Sequence, residues 1–160
     1  MIKVGDKLPE ATFIVMTESG PSPRTTTEAF SGRKVALFAV PGAFTPTCHN
    51  NHLPGFLANA DALKAKGVDA IACVSVNDVF VLDAWAKSTG AQDKIEFLAD
   101  GSAVFAKALG LELDGTERGL GIRSKRYAML VDDGVVKVLN IDDVPSNAEV
   151  SGAEALLQQI

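Results

Sequence analysis

The segment that most constrains this chain runs from Lys34 to Phe56, K-V-A-L-F-A-V-P-G-A-F-T-P-T-C-H-N-N-H-L-P-G-F. Its first part, Lys34–Val40, predicts a buried strand. Pro41-Gly42 then predicts a turn. Thr45-Pro46 predicts a helix start, because Thr is a good N-cap and Pro fits the first helical position, where its missing N–H has no partner to lose. This register makes Cys48 the third helical residue, in the first turn, where backbone N–H groups have no intrahelical acceptor. Those donors and the helix dipole both favour a thiolate. A free cysteine is more often an inert buried hydrophobe. Here Thr45, Thr47, His49, Asn50, Asn51 and His52 surround it with polar groups, which points instead to a reactive thiol.

The rest of the chain supplies the frame for this segment. Its 160 residues suit one domain, residues 1–160, with room for a real core. A formal net charge of −5 leaves no footprint for nucleic acid or an anionic membrane. No apolar run is long enough to span a bilayer, and Met1–Asp6 lacks a signal-peptide core. Two cysteines do not make a disulfide framework, so a reducing, cytoplasmic location is expected, with a transit peptide removed beforehand as the alternative.

Residues 1–32 are interrupted by Pro9, Gly20, Pro21 and Pro23 and are the least regular part, with a short strand expected at Ala11–Met16 and a helical turn at Thr25–Phe30. Leu53–Lys66 has helical spacing, although Pro54 inside it should kink the helix or break a backbone hydrogen bond. Ala70–Val76 reads as a central parallel strand. Val79–Ser88 reads as a helix with Phe80, Ala84 and Trp85 on its inner face. Glu96–Ala99 reads as a strand, and Ser102–Leu109 as a helix closed by Gly110. Tyr127–Val131 and Val135–Leu139 flank Asp132-Asp133-Gly134, a hairpin signal. Ser151-Gly-Ala-Glu154 reads as a capping box opening a last helix. This order predicts an α/β chain, a central mixed sheet with helices on both faces.

The run P-G-A-F-T-P-T-C resembles the active-site signature of the peroxiredoxins, with Pro41, Thr45 and Cys48 on its fixed positions. The longer string through Phe56, together with S-V-N-D-V-F-V-L-D-A-W-A-K, F-L-A-D-G-S-A-V-F-A-K-A-L-G-L-E-L-D and R-S-K-R-Y-A-M-L-V-D-D-G, resembles the type II, or peroxiredoxin-5, subfamily over nearly the whole chain. The resemblance implies a thioredoxin-like fold, which the order of elements also suits. It implies a thiol-dependent peroxidase acting on hydrogen peroxide and alkyl hydroperoxides through a sulfenic acid on Cys48, with no cofactor and no metal.

The chemistry needs a thiolate at neutral pH, whereas an unperturbed cysteine titrates near ~8.5, so positive potential must surround the sulfur. The resemblance places Arg126 there, with Arg118 and Arg123 as weaker candidates. It gives Thr45 the task of orienting the peroxide, in competition with its use as a helix cap. The N–H groups of Thr47 and Cys48 would hold the peroxide oxygens, and Pro41 would shield the sulfur. Phe44, Leu120 and Ile122 would form apolar walls. His52 would help structure the active-site loop and contact substrate, and His49 would face solvent at its mouth.

Cys73, mid-strand, reads first as a core thiol and second as a possible secondary thiol. Members of the subfamily with a resolving cysteine carry it near the C-terminus, and Ala148–Ala153 holds none. The expected cycle therefore uses an external thiol, glutathione with glutaredoxin or else thioredoxin. A homodimer burying the Phe44 region and the Asn77–Phe80 turn is expected by the same resemblance. The alternative is a redox sensor or holdase on the same fold, switched by Cys48 oxidation. A Cys48–His52 hydrolase dyad lacks an orienting third group. A zinc site lacks a fourth ligand. A disulfide exchanger is opposed by Asn51 where a C-x-x-C would need its second cysteine.

Overall fold

In the computed structural model, which describes residues 1–144 and 146–160, the centre is a seven-stranded sheet of order β2-β1-β5-β4-β3-β8-β9. The strands are β1 (Thr12–Thr17), β2 (Gly20–Thr25), β3 (Lys34–Val40), β4 (Ala70–Ser75), β5 (Glu96–Ala99), β8 (Arg126–Asp132) and β9 (Val135–Asp142). A separate two-stranded ribbon joins β6 (Glu112–Gly115) to β7 (Gly121–Ser124). Strands β3, β4 and β5 run parallel, while β8 runs antiparallel to β3 and β9 to β8. The expected mixed sheet is therefore present, with its parallel part in the middle.

Helices cover both faces. On one face α2 (Leu53–Ala58), α3 (Ala60–Ala65), α4 (Val79–Thr89) and α6 (Ala153–Leu157) bury Phe56, Leu63, Trp85 and Leu156 against Phe38, Ile71 and Cys73. On the other, α1 (Thr26–Phe30) and α5 (Val104–Leu109) bury Phe30, Phe105 and Leu109 against Phe13, Leu37 and Val131. The alternation of Leu37 and Phe38 to opposite faces explains why β3 is apolar from Val35 to Val40. No helix among the described residues is long and apolar enough to cross a membrane.

Several sequence expectations shift in detail. Residues Gly20–Thr25, expected to be irregular, form β2, paired with β1 along its whole length. Pro21 and Pro23 are tolerated because β2 is the edge of the sheet, where one flank needs no donor. Thr25 does cap α1, with a reciprocal Glu28 bond. In α4 the inner face is Val79, Leu82, Trp85 and Ala86. Phe80 and Ala84 are exposed, so their expected inward placement is wrong by a fraction of a turn. Helix α5 starts at Val104, with the buried Asp100 carboxylate accepting from the N–H groups of Phe105 (3.0 Å) and Ala106 (2.9 Å).

The capping box at Ser151 does not form, and Gly152 holds the cap position of α6. The Ser151 hydroxyl instead donates to Asp142 at the end of β9. The β8–β9 hairpin turns at Asp133 and Gly134, both at positive φ (48° and 78°), as an Asp-Gly pair in such a turn requires.

The expected continuous helix from Leu53 is interrupted differently from the Pro54 kink. Cys48–His52 forms a π-helical turn in which the Leu53 N–H donates to the Cys48 carbonyl. Helix α2 follows, and the chain breaks again at Asn59 before α3. Proline has no N–H to give back to the preceding turn, so a widened turn just before Pro54 loses little that a regular one would have kept.

Phe38 stacks on Phe56 with ring centroids 4.2 Å apart and planes 7° from parallel, joining β3 directly to α2. Replacing Phe56 with alanine removes this contact and leaves a cavity beneath the π-turn. Urea unfolding should show a loss of about 3–5 kcal/mol. A loss below about 1 kcal/mol would mean that α2 is not held through this ring.

Candidate active site

Strand β3 ends at Val40, and the loop that follows lies at the carboxyl ends of the parallel strands, where open α/β sheets place their sites. Three contacts shape this loop. Ala43 N–H donates to Asn77 Oδ1 at 2.9 Å, Arg123 Nη1 donates to the Pro41 carbonyl at 3.3 Å, and Arg123 Nε donates to the Leu120 carbonyl at 2.9 Å. Gly42 is required by close approach: a Cβ there would come within 2.9 Å of Arg123 Nη1 and 3.1 Å of Thr45 Cγ2. Phe44 is held at a φ of 63°, an uncommon conformation for a side chain of this size.

The loop delivers Cys48 to the start of the helical segment, where His49 N–H already donates to the Thr45 carbonyl at 2.9 Å. Cys48 is fully buried, so the reactive-thiol environment is enclosed, not open. Thr45 Oγ1 lies 3.0 Å from Cys48 Sγ and 2.6 Å from the Gly42 carbonyl, and its single proton has both acceptors in reach. The hydroxyl faces the sulfur and does not cap the helix. Arg126, the first residue of β8, donates from Nη2 to the same sulfur at 3.0 Å. It is buried (2% exposed), and a buried guanidinium is costly unless charged or hydrogen-bonding partners surround it.

The second Arg126 nitrogen, Nη1, lies 3.0 Å from His52 Nδ1. Arginine can only donate, so Nδ1 must be the accepting nitrogen and the ring proton belongs on Nε2. Nε2 then donates to the Ser151 carbonyl at 2.8 Å. Burial, and next the charge of Arg126, push the His52 pKa down from 6.5 to about 4, while the Ser151 bond and Asp142 partly oppose this. Protonation would put a second cation against Arg126 in a dry site.

A cleft of about 240 Å³ opens over Thr45 and Arg126. Pro41, Pro46, Leu113 and Leu120 make it largely apolar, Thr47 and Ser146 border it, and Arg118 stands at its rim. The Thr47 hydroxyl donates to the Ser146 carbonyl at 2.9 Å, fastening the C-terminal segment beside the cleft.

The structure thus brings together Pro41, Thr45, Thr47, Cys48 and Arg126. Arg126, not Arg123 or Arg118, reaches the sulfur. Three expected contacts fail. Phe44 is half exposed and lies beside His49, with ring centroids 6.0 Å apart, outside the cleft. Ile122 packs on the cluster of Val76, Ala103 and Ala106. His52 lies behind Arg126 instead of facing substrate. His49 is partly exposed, and its Nδ1 accepts from Trp85 Nε1 at 3.1 Å. Cys73 sits mid-β4 between Phe38 and Phe97 on the neighbouring strands, and burial, then the charge of Cys48, push its thiol pKa well up. Asp142 and Leu113 carried no local sequence signal and the Ser151 signal pointed only to a helix cap, because these contacts form only when segments distant in sequence meet.

Comparison with known proteins agrees with this geometry. The redoxin family model matches residues 3–157. Peroxiredoxin-2E-2, chloroplastic, of Oryza sativa subsp. japonica is 52% identical, over 97% of this chain and 71% of its own length. Peroxiredoxin-2B of Arabidopsis thaliana is 44% identical over 99% and 98%. The chain belongs to the peroxiredoxins. It spans 62% of the length of peroxiredoxin-2E, chloroplastic, of Arabidopsis thaliana, to which it is 51% identical. Among solved structures, reduced Prx3 of Vibrio vulnificus in complex with hydrogen peroxide superposes with a TM-score of 0.94 at 53% identity, covering 99% of both chains. Peroxiredoxin 5 of Alvinella pompejana gives 0.85 at 38% identity, covering 100% of both. The fold is thioredoxin-like, as its peroxiredoxin neighbours show.

His52 gives this site an acid limit. Its folded pKa, about 4, lies below its ordinary 6.5. As pH falls through that window the unfolded chain binds a proton that the folded chain refuses. The stabilisation is whole above 6.5 and drains away toward 4, by up to about 3 kcal/mol at ~1.36 kcal/mol per unit. Urea unfolding across this range should lose that part of its pH slope in His52→Asn. An unchanged slope would show that His52 does not titrate this way.

Proposed function

We propose that this peroxiredoxin reduces hydrogen peroxide and small alkyl hydroperoxides by direct attack of Cys48. The observation that carries the reading is the convergence of Thr45 Oγ1 and Arg126 Nη2 on Cys48 Sγ, each at 3.0 Å, under an apolar cleft. The thiolate attacks the terminal peroxide oxygen. An S–O bond forms, the O–O bond breaks, and the departing oxygen takes a proton, giving a sulfenic acid and water or an alcohol. The Thr45 hydroxyl orients the peroxide, and Arg126 stabilises negative charge on sulfur and then on the breaking O–O bond. The Thr47 and Cys48 N–H groups, in the first helical turn, hold the oxygens. Pro41, buried at the cleft wall, keeps bulk water from the sulfur.

The sulfenic acid is reduced by an external thiol, which displaces water to give a mixed disulfide that a second thiol resolves. Glutathione with glutaredoxin is the proposed reductant and thioredoxin the second choice. Two observations support an external donor. Ala148–Ala153 holds no cysteine, and Cys73 is held in the sheet interior with a raised pKa. Because Cys48 is fully buried, a thiol larger than the peroxide reaches it only when the Cys48–His52 turn opens. We also propose a homodimer formed where Phe44 (49% exposed) and Phe80 (64% exposed) stand at the surface beside the site, a cytoplasmic location, and action as one domain.

Intact mass after one equivalent of hydrogen peroxide tests this. A gain of one oxygen, or of one glutathione when it is present, is expected in the wild type and Cys73→Ser and not in Cys48→Ser. Thr45→Val should lower kcat/KM on the order of 10²-fold. Thiol-dependent turnover by Cys48→Ser would overturn the assignment. Loss of two hydrogens, blocked by either serine, would replace the external thiol with Cys73.

A further inference from the structure

Arg126 reaches the sulfur from β8, but a long side chain with several rotatable bonds is not aimed by its backbone alone. Behind it stands a chain of contacts that the peroxidase chemistry does not itself use. Arg126 Nη1 donates to His52 Nδ1 (3.0 Å), and His52 Nε2 donates to the Ser151 carbonyl (2.8 Å). Ser151 is in turn gripped by Asp142, whose Oδ2 accepts from its N–H (2.9 Å) and its hydroxyl, while Oδ1 accepts from Val150 N–H (3.3 Å). All four side chains are buried, none more than 7% exposed.

We propose that Asp142, Ser151 and His52 are positioning residues that aim the Arg126 guanidinium at Cys48. The chain has a direction. Asp142 is fixed on β9 beside Arg126, its register partner on β8, and holds the N–H groups of Val150 and Ser151. The Ser151 carbonyl so placed selects the His52 tautomer with its proton on Nε2. That choice leaves Nδ1 as a lone pair facing Arg126 and never as a competing donor. The ring cannot easily turn away, because Phe38 and Phe56 pack on it at centroid distances of 5.0 and 5.6 Å. With Nη1 held by the imidazole, Nη2 meets the sulfur and the space where peroxide binds. Ser151 comes from the far end of the sequence, so the C-terminal segment helps to aim the guanidinium from behind Arg126.

The proposal rests on Cys48 being the attacking sulfur, and its test separates the two ideas. The readout is the second-order rate of Cys48 modification by hydrogen peroxide divided by that with iodoacetamide. Alkylation needs the sulfur but not a peroxide aligned by the guanidinium. His52→Leu removes the acceptor and keeps apolar bulk, and the ratio should fall about tenfold or more, since misplacements near 1 Å cost up to ~10²-fold. His52→Asn puts an amide oxygen near the position of Nδ1 and should restore the ratio to within about threefold of wild type. Asp142→Asn keeps the shape but leaves one oxygen to serve Val150 and both Ser151 donors, and should lower the ratio at least about threefold with an unchanged melting midpoint.

An unchanged ratio in Asp142→Asn overturns the proposal even if His52→Leu does not fold, and so does His52→Asn performing no better than His52→Leu. If Cys48→Ser still consumes peroxide, the functional reading has failed first, whatever the His52 variants do.

Discussion

The contact between the Arg126 guanidinium and the Cys48 sulfur organises this molecule. It joins two segments far apart in sequence, and each must be supported before the contact can exist. Arg126 is buried because β8 lies in the interior of the sheet, antiparallel to β3, with Tyr127 opposite Ala39 at the end where β3 gives way to the cysteine loop. Cys48 is buried because the helical segment that follows it is pinned to β3 through Phe38 and Phe56. Enclosure strengthens the attraction between guanidinium and thiolate, since the effective dielectric falls away from water. It also makes either partner costly to bury without the other, so the interaction that serves catalysis also constrains packing.

The sheet and the cysteine loop were legible because their signals are local. An apolar run ending at Pro41-Gly42, a Thr-Pro helix start, Asp133-Gly134 and Gly110 each report on a few neighbouring residues, and each lies where expected. Edge strand β2 was hidden because prolines read as breakers until the strand order shows that one side is unpaired. The exposure of Phe80 was hidden because a helical stripe tolerates rotation until the rest of its face is known. The assignment of Arg126 needed family resemblance, and the structure supports it by distance. Ser151 could not be read at all. Its serine fits a capping box, and only the arrival of Asp142 beside it, after the hairpin returns, gives the hydroxyl a better acceptor.

The two cysteines show how strongly placement outweighs residue type. Both are fully buried and both face the same side of the sheet. Cys73 has strands on either side and an apolar neighbourhood, which holds it as a neutral thiol. Cys48 has a hydroxyl and a guanidinium within 3.0 Å, at the start of a helical segment. The same residue type thus stands in opposite surroundings, one sulfur beside a cation and the other in an apolar interior.

The π-turn at Cys48–His52 amounts to one residue more than a regular helix would hold, inserted between the reacting sulfur and the helix that anchors it. Each residue of an α-helix turns the chain by roughly 100°, so that surplus sets the direction in which Cys48 points relative to Phe56. Removing one of Asn50 or Asn51 would heal the helix and improve its hydrogen bonding. It would also swing the sulfur away from Arg126. Length in this short stretch is under tighter constraint than sequence. Its exposed asparagines are open to substitution, whereas a single-codon deletion would yield a sounder helix and a dead enzyme.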